Sequence, residues 1–291
     1  MSLRIFILAS PLLLSCGLGD AQTRPPLKES AKVAHASTAR KQLVDDLVLA
    51  NHILASKELG FLNAYGHVSV RDPADPQHYY MARYVSAGIV KASDIIEYDL
   101  DSNPVDGPRK DNFNERFIHG EIYKARPDVM AVVHSHTPEL VAFSVSSIPL
   151  RPVMAAASFL GDGIPTFDIR SYTHSSNVGI VSNPELGAAL AKELGDKAAI
   201  LLYGHGAVTV DTSLVNLVAR SDTFRQDAIV QQQAMLLGGN VNYIKPAVRP
   251  PGAPARRPQQ TAPRDGGGAS GADRAWEYWK QLIAPRSAIQ H

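Results

Sequence analysis

From Ser37 to Leu59, apolar residues at Leu43, Leu47, Leu49, Ile53 and Leu54 recur at the spacing of one helix face, with Gly60 placed as a stop. This predicts an opening helix. The period then changes. Tyr65 to Pro73 reads as a strand entered through Gly66 and closed by Asp72-Pro73, and Tyr79 to Arg83 as a second. Ser93 to Ile96 reads as a short capped turn, and Glu97 to Val105 as a hairpin whose acids are solvated turn formers. A helix is predicted over Asn114 to Arg126, with Asn114 as its cap and Glu115 and Arg116 in its first turn. An apolar, β-branched run then leads through Val129 to Ser135, and Thr137 to Val145 is helical.

Two further strands are expected, one beginning at Arg151-Pro152-Val153-Met154 and one over Pro165 to Arg170. Ser182-Asn183-Pro184 opens a helix that ends near Gly195. Strands over Ala198 to Tyr203 and Ala207 to Val210 flank Gly204-His205-Gly206, and Thr212 to Leu237 forms a long helix stopped by Gly238-Gly239. Helices and strands in this order predict an α/β fold: one three-layer α/β/α domain over 37–244, around a mostly antiparallel central sheet.

The ends read differently. Met1 to Ala21 has one early arginine, an apolar segment too short to span a bilayer and small residues before Ala21, the pattern of a secretory signal. Cleavage after Ala21 is one reading. The other is lipoprotein processing, because Leu13-Leu14-Ser15-Cys16 resembles a lipobox and would leave a lipidated Cys16 as membrane anchor. Both place the mature chain outside the cytoplasm, in the periplasm or anchored in the cell envelope. Residues 22–36 are expected to form a tether and 245–271 a disordered linker. Residues 272–285 carry Trp276, Tyr278, Trp279, Leu282 and Ile283 on an amphipathic helix, docked either on its own chain or on a neighbouring subunit.

Composition narrows the function. Apolar residues make up 45% of the chain, enough for a core, and the only cysteine lies in the signal, so stability rests on packing rather than disulfides. Twenty-nine basic residues against 28 acidic ones give a net charge of +1. No basic stripe with interleaved aromatics occurs, which argues against nucleic acid as a partner.

The chemistry concentrates at His134-Ser135-His136. Alternate side chains of a strand share a face, so the two imidazoles point the same way and could grip one cation. A structural pair is the plain alternative. His205 sits between two glycines at the end of another apolar run, where backbone and ring can approach a shared centre. Three neutral imidazoles plus an open position describe a catalytic divalent-metal site. Glu115 is by itself an ordinary first-turn helix acid. His119, four residues on and on the same helix face, reads as structural or as a support for the ligands.

The order of an acidic residue on a helix, Arg126-Pro127-Asp128-Val129-Met130-Ala131-Val132-Val133-His134-Ser135-His136, and then Gly204-His205-Gly206 resembles the class II aldolase/adducin family over roughly Lys41 to Tyr243. Gly66-His67-Val68-Ser69-Val70-Arg71-Asp72-Pro73 and Glu115 to Val129 are most similar to its decarboxylase-like branch, acting on hydroxylated aromatic or muconic-semialdehyde carboxylic acids. The resemblance implies that His134, His136 and His205 hold one divalent metal ion per subunit (zinc, with manganese, magnesium or iron also compatible) and that Glu115 ligates it or moves protons. It also implies a homotetramer. His67 stands where sugar-phosphate aldolases of the family usually carry a phosphate-binding asparagine; it is either a packed structural histidine or a group recognising a carboxylate. Ser86 and Gly88 fall near the family's second phosphate-binding turn, without a clear Ser/Thr-rich cradle. Arg83, Asn114 and Arg116 are further substrate-binding candidates.

The resulting expectation is a metal-dependent carbon–carbon lyase that decarboxylates a small hydroxylated aromatic or ring-cleavage acid, with the metal accepting enolate charge and Glu115 handling the proton. The alternatives are an aldolase cleaving a hydroxy-carbonyl compound and a non-catalytic, adducin-like assembly module.

Overall fold

The computed structural model describes residues 27–245 and 270–283. The expected signal over 1–21, with Cys16, lies outside the described residues, as does nearly all of the expected linker. The first helix, α1, spans Leu27–Leu54. It therefore takes in most of the segment read as a tether. Leu27 to Ala36 contains neither glycine nor proline, so nothing local stops the helix before Pro25-Pro26. It ends at Leu54, earlier than Leu59, because the Leu54 carbonyl accepts the amides of Phe61 at 3.0 Å and Leu62 at 2.8 Å as the chain folds back.

Seven strands follow: β1 (His67–Arg71), β2 (His78–Ala82), β3 (Ile95–Asp99), β4 (Ala131–Ser135), β5 (Thr166–Phe167), β6 (Ala199–Leu202) and β7 (Gly206–Asp211). They form one sheet in the order β3-β2-β1-β4-β7-β6-β5. Only the β5–β6 pairing is parallel, so the expected mostly antiparallel sheet is the one observed. The helices after α1 are α2 (Arg116–Ala125), α3 (Pro138–Ser144), the short α4 (Arg170–Thr173), α5 (Pro184–Leu194), α6 (Leu214–Leu236) and α7 (Gly271–Ile283).

Alternation along the strands divides the core in two. Val68, Val70, Ala131, Val133 and Ala207 pack with α1, α6 and α7, whereas Val132, Ile200, Leu202 and Val208 pack with α2 and α5. Both sheet faces are thus dry, which makes three layers. The second face carries His134, because it follows Val132 by two residues.

Two expected strands are reduced or absent. Arg151 to Met154 runs irregularly beside α6, which supplies the acceptors that a strand partner would have given. Arg151 N donates to Gln231 Oε1 at 3.0 Å, and Val153 N and Met154 N donate to Asp227 Oδ1 at 2.9 and 2.8 Å. The strand expected over Pro165 to Arg170 keeps only Thr166–Phe167, because the Asp168 carboxylate captures Arg170 N at 3.1 Å and starts α4. The helix expected from Asn114 starts two residues later, with Glu115 in the cap position and no side-chain cap bond, and Asn114 is exposed. α7 docks on its own chain, burying Trp276 and Trp279 in the α1 and α6 layer. Of the described residues, no helix is long and apolar enough to cross a membrane.

Candidate metal centre

His67 of β1 and His134 of β4 are directly opposed in the sheet register. Ser135 then points to the other face, and His136 returns to the side of His134 just past the strand end. β7 pairs with β4 on the opposite flank, with Ala207 opposite Ser135, so the turn that feeds β7 lies beside His136. That turn, Tyr203-Gly204-His205, is tight and needs glycine: Gly204 has φ +61°. Two segments far apart in sequence thereby deliver three imidazoles to one spot. The ring centroids of His134, His136 and His205 lie 4.7 to 5.0 Å from one another.

Glu115 enters from the start of α2. Its Oε2 is 3.6 Å from His134 Nε2 and its Oε1 is 3.6 Å from His205 Nε2. One donor atom from each of Glu115, His134, His136 and His205 falls within 4.8 Å of all the others. Two observations show that this set fits a divalent cation. Glu115 Oε1 is buried with no hydrogen-bond partner, a costly arrangement for a carboxylate unless a cation satisfies it. His134 Nδ1 lies 3.1 Å from the Ala207 carbonyl, which can only accept, so that nitrogen carries the hydrogen and Nε2 presents its lone pair to the cluster.

Electrostatics agree. Burial, reinforced by His136, pushes His134 down to about 3, and burial with His134 nearby pushes His205 down to about 4. His136 is also lowered, by burial. Burial raises the Glu115 carboxyl, against the pull of His205 and His136. Neutral imidazoles are the form that ligates a metal.

Behind the centre lies a line of polar groups that sequence reasoning had not assembled. His67 Nδ1 is 2.7 Å from His119 Nε2, His119 Nδ1 is 2.6 Å from Ser69 Oγ, and Ser69 Oγ is 2.7 Å from the Tyr123 hydroxyl. All four residues are buried. Glu115 in the cap position, and His119 and Tyr123 on α2, recur every four residues as a polar stripe along a buried face. That stripe was the available signal. Phe113 packs on His67 with centroids 4.5 Å apart, and Tyr65 stacks beside His136 at 6.0 Å.

The other candidates stand elsewhere or are engaged. Arg83 Nε donates to Asp94 Oδ1 at 2.8 Å, and Asp94 Oδ2 accepts the Lys91 amide at 2.9 Å. Ser86 Oγ donates to the Ala64 carbonyl at 3.2 Å, and Gly88 is exposed on the turn that follows. Arg116 ties the start of α2 to the preceding loops, donating to Ser102 O at 2.9 Å and Phe113 O at 3.0 Å.

A three-layer α/β sandwich with three imidazoles and a carboxylate at one end of its sheet defines the class of protein: a scaffold with a candidate divalent-metal centre. Residues 45–232 match the profile of the Class II Aldolase and Adducin N-terminal domain. The chain belongs to the class II aldolase/adducin family. It is 32% identical over 188 residues to decarboxylase tropJ of Talaromyces stipitatus, covering 60% of this chain and 71% of that one. It is 30% identical over 207 residues to the 3,4-dihydroxyphthalate decarboxylase of Arthrobacter keyseri, covering 66% of this chain and 79% of that one. Among solved structures, the L-fuculose 1-phosphate aldolase of Glaciozyma antarctica superposes with a TM-score of 0.57 at 27% identity, over 72% of this chain and 79% of that one.

Proposed function

We propose that this protein is a divalent-metal-dependent decarboxylase of a small hydroxylated aromatic or ring-cleavage carboxylic acid. The observation that carries the reading is the convergence of His134, His136, His205 and Glu115 within 4.8 Å, on a chain whose relatives include enzymes named as decarboxylases. A divalent ion held by the three histidines supplies a Lewis acid for the negative charge that a breaking carbon–carbon bond leaves beside a carbonyl or phenol oxygen.

The protein's own groups do the rest. His134 offers Nε2 because Ala207 fixes its tautomer. Glu115, with its carboxylate oxygens 3.6 Å from His134 Nε2 and His205 Nε2, is placed to return a proton to the substrate carbon. Tyr65, exposed and stacked beside His136, offers aromatic surface suited to a flat ring.

Aldol cleavage of a sugar phosphate is the second reading, favoured by the fuculose-phosphate aldolase likeness. Against it, Arg83 is held by Asp94 and the Ser86 hydroxyl by Ala64, at the positions where a phosphate cradle would be sought. A non-catalytic assembly role, as in adducins, is the third, and retention of the whole ligand set argues against it. In this proposal the ion is zinc, with manganese, magnesium or iron as alternatives. The chain works as a homotetramer, and it is exported to the periplasm or anchored through Cys16.

The test is a panel of catechol carboxylates, including 3,4-dihydroxyphthalate, and of hydroxy acids and sugar phosphates, assayed separately for carbon dioxide and for aldehyde. Carbon dioxide from an aromatic acid is expected. Aldehyde release alone establishes the aldolase reading instead.

A further inference from the structure

The line from Tyr123 to His67 has a direction, and hydrogen counting gives it. Tyr123 has one hydroxyl hydrogen and two polar neighbours: Ser69 Oγ at 2.7 Å, and the backbone amide of Val132, which is itself a donor. The Tyr123 hydrogen therefore goes to Ser69. Having accepted it, the Ser69 hydroxyl turns its own hydrogen to His119 Nδ1, 2.6 Å away. His119 is sealed from solvent, and among the described residues no carboxylate pairs with it, so it is neutral, and its single hydrogen sits on Nε2. That hydrogen is given to His67 Nδ1 at 2.7 Å. A neutral His67 must then carry its hydrogen on Nε2.

The reverse order fails on one atom. If His67 gave the Nδ1 hydrogen inward, each bond would flip, and the Tyr123 hydroxyl would be left buried with a hydrogen and no acceptor, in addition to the unpartnered His67 Nε2. His67 Nε2 is itself buried without a partner, in a ring 5.2 Å from that of His134. An orphan donor in that place is either a defect or the ligand end of the line.

We propose that Tyr123, Ser69 and His119 are positioning residues that hold His67 as an Nε2–H donor toward an anionic oxygen of the substrate beside the metal centre. This rests on the decarboxylase reading for the identity of the substrate, but not for the polarity of the line. A neutral donor suits an oxygen that gains charge as the carboxylate departs, since it strengthens with that charge and adds no second cation beside the metal. It also gives a physical reason for histidine at this position: ring nitrogens at both ends let one side chain join a buried line to a bound ligand. An asparagine is too short to reach His119 and the ligand together.

The experiment is solid-state nitrogen NMR of the full-length protein labelled with ¹⁵N-histidine, without substrate, with His67→Gln used to assign the His67 signals. The expected result is a pyrrole-type Nε2 and a pyridine-type Nδ1 for His67. In Tyr123→Phe and in Ser69→Ala, a second population with the hydrogen on Nδ1 is expected. For whichever acid of the panel is turned over, kcat/KM should fall about 10- to 100-fold in both variants at unchanged metal content, and His67→Gln, which keeps an N–H donor, should retain more activity than His67→Phe. A wild-type His67 protonated on Nδ1 overturns the proposal, as does an unchanged tautomer in both variants. Because the spectra need no substrate, a silent activity panel would remove the decarboxylase reading without touching this result.

Discussion

Gly206 of β7 lies so close to Ser135 of β4 that a methyl group on Gly206 would overlap the Ser135 carbonyl oxygen and come within 3.3 Å of the His136 Cα. Backbone, not a side chain that could move aside, fills the space. This contact sets the distance between the strand carrying His134 and His136 and the turn carrying His205. Gly206→Ala is therefore expected to cost about 1–3 kcal/mol through overpacking and to weaken metal binding by more than its effect on the fold would suggest. Thermal melts and metal titration, compared in one preparation, check this. Wild-type metal affinity in a folded variant would show that the spacing is unimportant.

Glu115 is flanked by His134 and His205, two of the candidate ligands, yet three imidazoles suffice to hold a divalent ion. Glu115→Gln should keep stoichiometric metal while kcat falls by about 100-fold or more. Elemental analysis beside a carbon dioxide assay measures both. Undiminished turnover takes Glu115 out of the chemistry.

How much of this was legible in the chain depends on where the causes lie. His134 and His136 follow from strand periodicity alone, and the β6–β7 turn announces His205 by its glycines. Their convergence was visible only through family likeness, since it depends on β4 pairing with β7, a contact across more than seventy residues. The start of α5 is a local signal, and the structure bears it out: Asn183 Oδ1 accepts the Leu186 amide at 2.9 Å, with Pro184 opening the helix. Arg151 to Met154 was misread because its acceptors belong to Asp227 and Gln231, far along the chain. Arg83 and Arg116 look available in sequence, and tertiary partners engage them. The His67 to Tyr123 line as a whole is not legible in the sequence, because Ser69 and Tyr123 carry no signal of their own and His67 and His119 meet only once β1 and α2 are packed together.

Asp227 offers a pH test away from the site. It holds the 153–154 amides through Oδ1, while Oδ2 is buried without a partner, and burial raises its carboxyl above the usual 3.8. A raised folded value penalises the charged form in the fold. Its stability contribution is whole below 3.8 and declines as pH rises through the folded value. The difference in melting temperature between Asp227→Asn and wild type should therefore move in favour of the variant as pH increases from 3.8. A difference that is flat with pH contradicts the assignment.

Trp276 and Trp279 fasten α7 to α1 and α6, on the sheet face away from the histidines. Trp276→Ala should cost about 3–5 kcal/mol in denaturant unfolding. Metal content of the protein that remains folded should not change.

The central claim is tested most directly by anomalous diffraction from crystals of the zinc-supplemented protein. One ion per chain is expected, with Nε2 of His134, His136 and His205 at about 2.0–2.1 Å and the Glu115 carboxylate beside it. An ion bound elsewhere, or stoichiometric binding that survives loss of both His134 and His205, would contradict the account.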